Sequence, residues 1–475
     1  MSILFGILLL FLSGWLILKK LGVKIQPIEM LAYSLLTGVG LQSFWMLLCD
    51  VINIQFSQSL LSVFNLGFIV ILADVDAVKK FNYEQWLKEK AAALKQKFLQ
   101  PDLGSMLLFA TFAGLFYLIA VKGLYWPTSE HDAIGTFDKL GIWFALEGKI
   151  HVSLYDVGLQ GAGGIYPPLF PSAIAYCYLY GGDNPKIISL LFYVATLTIF
   201  FFSLRKYNTV FGAALFTLIL GWAPEFYSHA ALLLSNLPAA AYITAASLSL
   251  FIWWKEKDQS YFTLSCVMIA LSLWLRQDLI PFAAAGGLIV LWFAIKHKGW
   301  KQLLIYAASV LIPFVTWSLY VKYSLHLSAA ERFGAGSFIT FAKLKIAGAY
   351  LWAYFGFGQQ GDSPPGYFLY GVAFILPVVL IIANYKNITK DWLVIPAYFL
   401  VSLALYTLIF LLIDEQLQGA TLQSLMESSF KRGLFCFMPV LLFYAGASSI
   451  SIKIFSLLED YRNNRDVTRS DLGQT

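Results

Sequence analysis

Blocks of about 17–22 apolar residues, nearly free of charge, recur along the whole chain, and each can cross the ~30 Å hydrocarbon core of a bilayer as a helix. They fall at roughly 2–18, 29–49, 57–73, 105–121, 187–204, 209–222, 237–254, 260–275, 279–295, 302–321, 367–384, 392–413 and 433–452. Composition points the same way. The chain is 59% hydrophobic and 13% charged, with mean hydropathy +0.70. A soluble domain carries about a quarter of its residues as charges. A length of 475 residues would allow two or three soluble domains. The blocks instead predict one all-α polytopic membrane bundle of about thirteen transmembrane helices, with short interfacial helices in its outer loops.

Charge distribution sets an orientation. The first block, Ser2–Leu18, is followed by Lys19, Lys20 and Lys24, which predicts an uncleaved span with its N-terminus outside. The segments then assigned to the inner face hold most of the bases, among them Lys88, Lys95, Arg205, Lys206, Lys255, Lys257, Lys296, Lys298, Lys301, Lys386, Lys453 and Arg462. The outer segments hold far fewer, mixed with acids. A span at 168–181 would invert every later helix, but about fourteen residues are short for one. That segment is expected to lie in, or re-enter, the outer interface. Segment 74–104 has Phe81, Trp86, Leu87 and Leu94 against lysines, the pattern of an amphipathic helix on the inner surface, with a solvated charged connector as the plain alternative. The Asn387-Ile-Thr389 sequon falls on the inner side and is discounted. Cys49, Cys177, Cys266 and Cys436 all sit in apolar stretches without CxxC spacing and read as packing residues.

The unusual polarity lies in the outer segments. Glu130-His131-Asp132, followed by Asp138 and Lys139, begins the first long outer loop. Helical spacing places Asp132 and Lys139 near one face. A carboxylate desolvated at a membrane edge is a candidate general base. A solvated loop that merely starts with acids is the plain alternative, and the spacing matches no metal-ligand pattern. Next come a glycine-rich run and Tyr166-Pro167-Pro168-Leu169-Phe170-Pro171, which stiffens the chain and starts a short helix. Arg276 and Asp278 occupy a tight turn between two apolar blocks, where charges face a bundle interior or a cavity. An arginine so placed suits phosphate. Lys431 and Arg432, with Glu427 before them, stand outside at the entrance to the last span, against the inner-face trend of basic residues. Loops 322–354, with Arg332, Lys343 and Lys345, and 355–371 could cover the outer surface.

Taken together, these elements resemble the GT-C superfamily of integral-membrane glycosyltransferases, which includes protein O-mannosyltransferases and the aminoarabinose transferase of lipid A. The resemblance rests on Asp132-Ala133 with Phe137 and Lys139, on Tyr166-Pro167-Pro168-Leu169-Phe170-Pro171, on Arg276-Gln277-Asp278 and on Ser429-Phe430-Lys431-Arg432, in that order and on one side of the membrane. It spans about 105–450 of the chain. The family implies a catalytic core at 105–452, with outer loops about 123–186 and 322–366. An N-terminal three-span module with the inner-surface segment, 1–104, would precede the core, and a cytoplasmic tail, 453–475, would follow it. It implies transfer of a sugar from a polyprenyl-phosphate-linked donor to a glycan, lipid or protein acceptor at the outer face, in an envelope membrane such as the bacterial inner membrane. Membrane lipids are the further partner and no nucleic acid is implied; no cofactor is firmly implied, and a divalent metal stays open without a clear ligand pattern to support it. Asp132 would be the base; Arg276 and Arg432, with Lys139, Lys431 and Tyr166, would hold the phosphate. Glu130, His131, Asp138 and Asp278 would support them. Two departures stand out. Phe137 replaces an expected Trp, and Ser235-Asn236-Leu237-Pro238 stands where the family often carries an acid. Glu225 and His229 lie nearby. A surface-polysaccharide polymerase or ligase, or a lipid-linked-sugar flippase, are the competing readings. No internal repeat of the transporter kind is visible.

Overall fold

The computed structural model describes residues 2–72, 103–128, 130, 132–156, 166–327, 337–357, 368–383, 393–415 and 419–459. The amphipathic segment expected at 74–104, the Asn387 sequon, Arg332, His131, most of the glycine-rich run before Tyr166 and the end of the tail lie outside these residues.

A helix stands at each predicted apolar block, and no strand occurs among the described residues. Seven of these helices are long and apolar enough to cross a membrane: Ile3–Lys20, Pro27–Val51, Ile187–Arg205, Asn236–Glu256, Gln277–His297, Trp300–Tyr323 and Val394–Leu411. An eighth arises if the pair Met438–Gly446 and Ser449–Glu459, bent by 57°, is one span. The protein is thus an integral membrane protein, and among the described residues helix length and composition give seven or eight of the thirteen expected spans. Val210–Trp222 has only 13 residues, about 20 Å at 1.5 Å per residue and short of the hydrocarbon core, while Gln259–Leu275, with 17, is at the lower limit for a span.

Local chemistry explains where the helices stop. Between Asn236–Glu256 and Gln259–Leu275, Lys257 takes the left-handed conformation with φ +60° and Asp258 caps the next helix, accepting from the Ser260 N–H at 2.8 Å. This gives a two-residue hairpin in a lysine-rich setting. The first two helices cross at glycines. A Cβ on Gly14 would stand 1.9 Å from the Ser34 carbonyl oxygen, and one on Gly38 would stand 2.0 Å from that of Leu10. Only residues without side chains let the backbones approach so closely. The second helix is in turn bonded into the bundle. Tyr242 donates to the Leu36 carbonyl at 2.8 Å, and Trp274 Nε1 donates to Ser43 Oγ at 3.0 Å.

Polar contacts sort by end of the bundle. At the lysine-rich end, Lys24 N–H donates to Ser260 Oγ at 3.1 Å, Tyr207 to Glu256 at 2.7 Å, and Asn208 Nδ2 to the Gly446 carbonyl at 2.7 Å. At the other end, Asp50 Oδ1 accepts from the N–H groups of Ile150 and His151 at 2.9 and 3.1 Å, while Tyr320 donates to its Oδ2. Each bond joins segments that charge counting assigns to one face. The short helix Leu169–Leu179 is nearly buried all round and only about 16 Å long. Tyr176 donates to the Gly6 carbonyl at 2.9 Å, Tyr180 shares a 2.6 Å bond with Ser62, and Asn184 just beyond reaches the Gly123 carbonyl at 3.0 Å. These partners all belong to segments that charge counting assigns to the Asp50 end.

Candidate functional site

Asp132 is followed at once by a π-helical turn, Ala133–Phe137, closed by the Asp138 N–H on the Ala133 carbonyl. Lys431 and Arg432 directly follow another, Met426–Phe430. Such turns are rare and recur at functional sites, because one extra residue re-aims the side chains around it. The first turn also shifts helical phase by about 100°, which moves Lys139 off the face that plain α spacing gave it. Lys139 lies half-buried in the first turn of Asp138–Glu147. Asp138 accepts from Tyr178 at 2.7 Å, a bond that fastens this helix to Leu169–Leu179.

Asp132 and Arg432, 300 residues apart, form an ion pair through Oδ2 and Nη1. Arg432 Nε donates to the Ser428 carbonyl at 3.1 Å, so the guanidinium is held from its own helix and aimed at Asp132. Both side chains keep access to solvent, at 35% and 45% exposure for Arg432 and Asp132. Their partnership is therefore open to exchange.

Arg276 is held differently. The helix Gln259–Leu275 ends in an extended residue, Arg276, before the single 3-10 turn Gln277–Leu279 and Pro281 of the next helix. Its Nε and Nη2 donate to Asp278 at 3.0 and 2.5 Å. Its Nη1 donates to Asn236 Oδ1 at 2.8 Å and Ser235 Oγ at 3.3 Å. Four bonds thus engage its five N–H donors. Burial disfavours the guanidinium charge, but Asp278 more than restores it and holds the pKa above the ordinary arginine value. Tyr166 and Tyr406 lie near it. Tyr166 in turn packs on Phe137, ring centres 5.2 Å apart.

Asn236 carries the network onward, its Nδ2 lying 3.3 Å from His229 Nε2, while His229 Nδ1 lies 2.7 Å from the Glu225 carbonyl. A carbonyl can only accept, so the proton sits on Nδ1 and Nε2 accepts from the amide. Burial against Phe435 lowers the His229 pKa, with Glu225 and Glu130 opposing and Arg432 assisting. This keeps the ring neutral and matches the tautomer. Burial likewise lowers the Lys431 pKa, against the pull of Glu225.

The four motifs singled out in the sequence therefore lie near one another: Asp132 joins Arg432 by an ion pair, Phe137 packs on Tyr166, and Tyr166 lies near Arg276. Glu130 and Glu225 act on the same cluster through His229. Among the described residues no group of three or more metal-ligating side chains occurs. Two participants gave little sequence signal. Asn236 stands in the sequence only where an acid is expected, and Lys186, which is 3% exposed and also within the field of Glu130, belongs to none of the motifs. Comparison with protein-family models, with curated proteins and with solved structures finds no match to this chain.

Proposed function

We propose that the protein is a glycosyltransferase that moves a sugar from a polyprenyl-phosphate-linked donor to an acceptor hydroxyl at the outer face of the membrane. The observation that carries the reading is the Asp132–Arg432 pair: a base and a phosphate-seeking guanidinium brought together from opposite ends of the core, at a solvent-open edge of an integral membrane protein. The donor phosphate competes for Arg432, which releases Asp132 as it changes partner. The freed carboxylate takes the acceptor's O–H proton as the acceptor oxygen bonds to the anomeric carbon. The bond from that carbon to the phosphate oxygen breaks, and its electron pair stays on the phosphate. The result is an inverting displacement, with charge building where Arg432 stands. Arg276 contributes its field and one remaining N–H; its main bonds hold the 235–236 and 276–278 segments together.

The test is transfer by purified protein from a panel of labelled polyprenyl-phosphate sugars. Asp132→Asn should lower kcat by about 10²–10⁴-fold, the range for loss of a general base. A folded Asp132→Asn protein with undiminished transfer would refute the role given to Asp132. Failure of the wild type with every donor would turn attention to lipid-linked-sugar transport.

A further inference from the structure

Lys186 is the only lysine that is buried among the described residues. It caps the helix Ile187–Arg205, and its Nζ donates to the Pro127 carbonyl at 3.1 Å. Among the described residues that is its single side-chain hydrogen bond, and it has no ion pair. An ammonium has three N–H donors, and a buried charge is costly unless paired and bonded. Two donors thus find no acceptor among the described residues.

Fastening the chain does not require this charge. Asn184, two residues earlier, already binds the carbonyls of Gly123 and Leu124 at 3.0 and 2.9 Å, holding the same 123–127 segment with a neutral amide. Glu130 and Asp132 follow that segment in the sequence. Glu130 supports the Lys186 charge, and the same carboxylate acts on His229, which also feels Arg432. Lys186 is thus tethered five residues before Asp132, within electrostatic reach of Glu130, with two donors that meet no acceptor among the described residues.

We propose that Lys186 binds the leaving phosphate of the transfer reaction, as a second cation beside Arg432. The proposal rests on the phosphate-linked donor proposed above. A sugar phosphodiester carries one negative charge, and the polyprenyl phosphate it leaves behind carries up to two. Arg432 answers the first, and Lys186 answers the second as the bond to the anomeric carbon breaks. An interaction that strengthens with the developing charge acts on kcat more than on KM.

The experiment uses full-length protein in detergent and measures binding of a short-chain polyprenyl monophosphate, the matching uncharged polyprenol, and inorganic phosphate. The wild type should prefer the lipid phosphate to the alcohol. Lys186→Met should lose about tenfold of that preference, the worth of a charge-assisted hydrogen bond. Lys186→Arg should keep most of it, as should Asn184→Ala. Equal discrimination by Lys186→Met and wild type overturns the inference while leaving the donor class intact. An equal loss in Asn184→Ala also overturns it, since the role would then be fastening alone. No preference in the wild type would instead defeat the lipid-phosphate reading itself, and equal binding of inorganic phosphate would defeat its lipid part. If Lys186→Met does not fold, Lys186→Gln keeps a donor for Pro127 without the charge, and undiminished discrimination there overturns the inference as well.

Discussion

Two arginines of the same site show how exposure divides stability from function. Arg276 and Asp278 are 12% and 24% exposed and share two hydrogen bonds. Removing one member of a buried pair leaves the other charge uncompensated, so Asp278→Asn should destabilise the protein by about 3 kcal/mol, read as a lower melting temperature in detergent. Arg432 and Asp132 are far more exposed, where ion pairs contribute under about 1 kcal/mol. Arg432→Ala should leave melting nearly unchanged and remove transfer. Comparable melting losses in the two variants would contradict this division. His229 adds a pH signature. Its folded pKa is depressed by burial, so below the unfolded value of about 6.5 the unfolded chain binds a proton that the folded one refuses. Stability should fall as pH drops from about 7.5 to 5.5, and less so in His229→Gln; parallel curves would refute it. The sequence made charged residues visible and neutral ones not. Asp132, Arg276 and Arg432 stood out because ionised side chains are rare beside apolar blocks. Asn236 carries no charge, and the burial of Lys186 is decided by helices distant in sequence.

At the level of helices, the sequence disclosed where each one lies, since apolar blocks exclude most alternatives. It did not disclose their lengths in the membrane or their phase. The helix Val210–Trp222 ends at Ala223-Pro224, too early for a full span, and Gln259–Leu275 ends at an extended arginine, at the lower limit of span length. The π turns beside Asp132 and Lys431 have no pattern that a 3.6-residue period detects. Deleting one residue from Ala133–Phe137, for example Gly135, should restore α geometry and swing Asp132 by about 100° relative to the helix that follows. Transfer should then collapse in a protein that still folds. The glycine crossing gives a cleaner stability test. Gly38→Ala must push a Cβ into the Leu10 carbonyl, whereas Gly114→Ala meets nothing within 4 Å. The first should sharply reduce melting temperature or yield of folded protein. The second should be neutral or stabilising by up to about 1 kcal/mol, from helix propensity. Equal behaviour of the two would show that the helices can separate without cost.

For the whole molecule, the orientation of the second half turns on whether Leu169–Leu179 crosses the bilayer. With that helix held on one face, Lys149 and Lys257 lie on opposite sides of the membrane; if it crossed, they would lie on the same side. Single cysteines at Lys149→Cys and Lys257→Cys, in a chain lacking Cys49, Cys177, Cys266 and Cys436, should react with an impermeant thiol reagent from opposite sides. Labelling of both from one side would invert the later helices and separate Asp132 from Arg432. The pair has one more consequence, for biosynthesis. Its members are 300 residues apart. At about 5–20 residues per second, a nascent chain carries Asp132 for roughly 15–60 s before the ribosome supplies its partner. Throughout that interval the carboxylate must wait at the membrane edge without Arg432. A product truncated before the last helices would be inserted, lipid-embedded and inert, so quality control of this protein turns on its final segment.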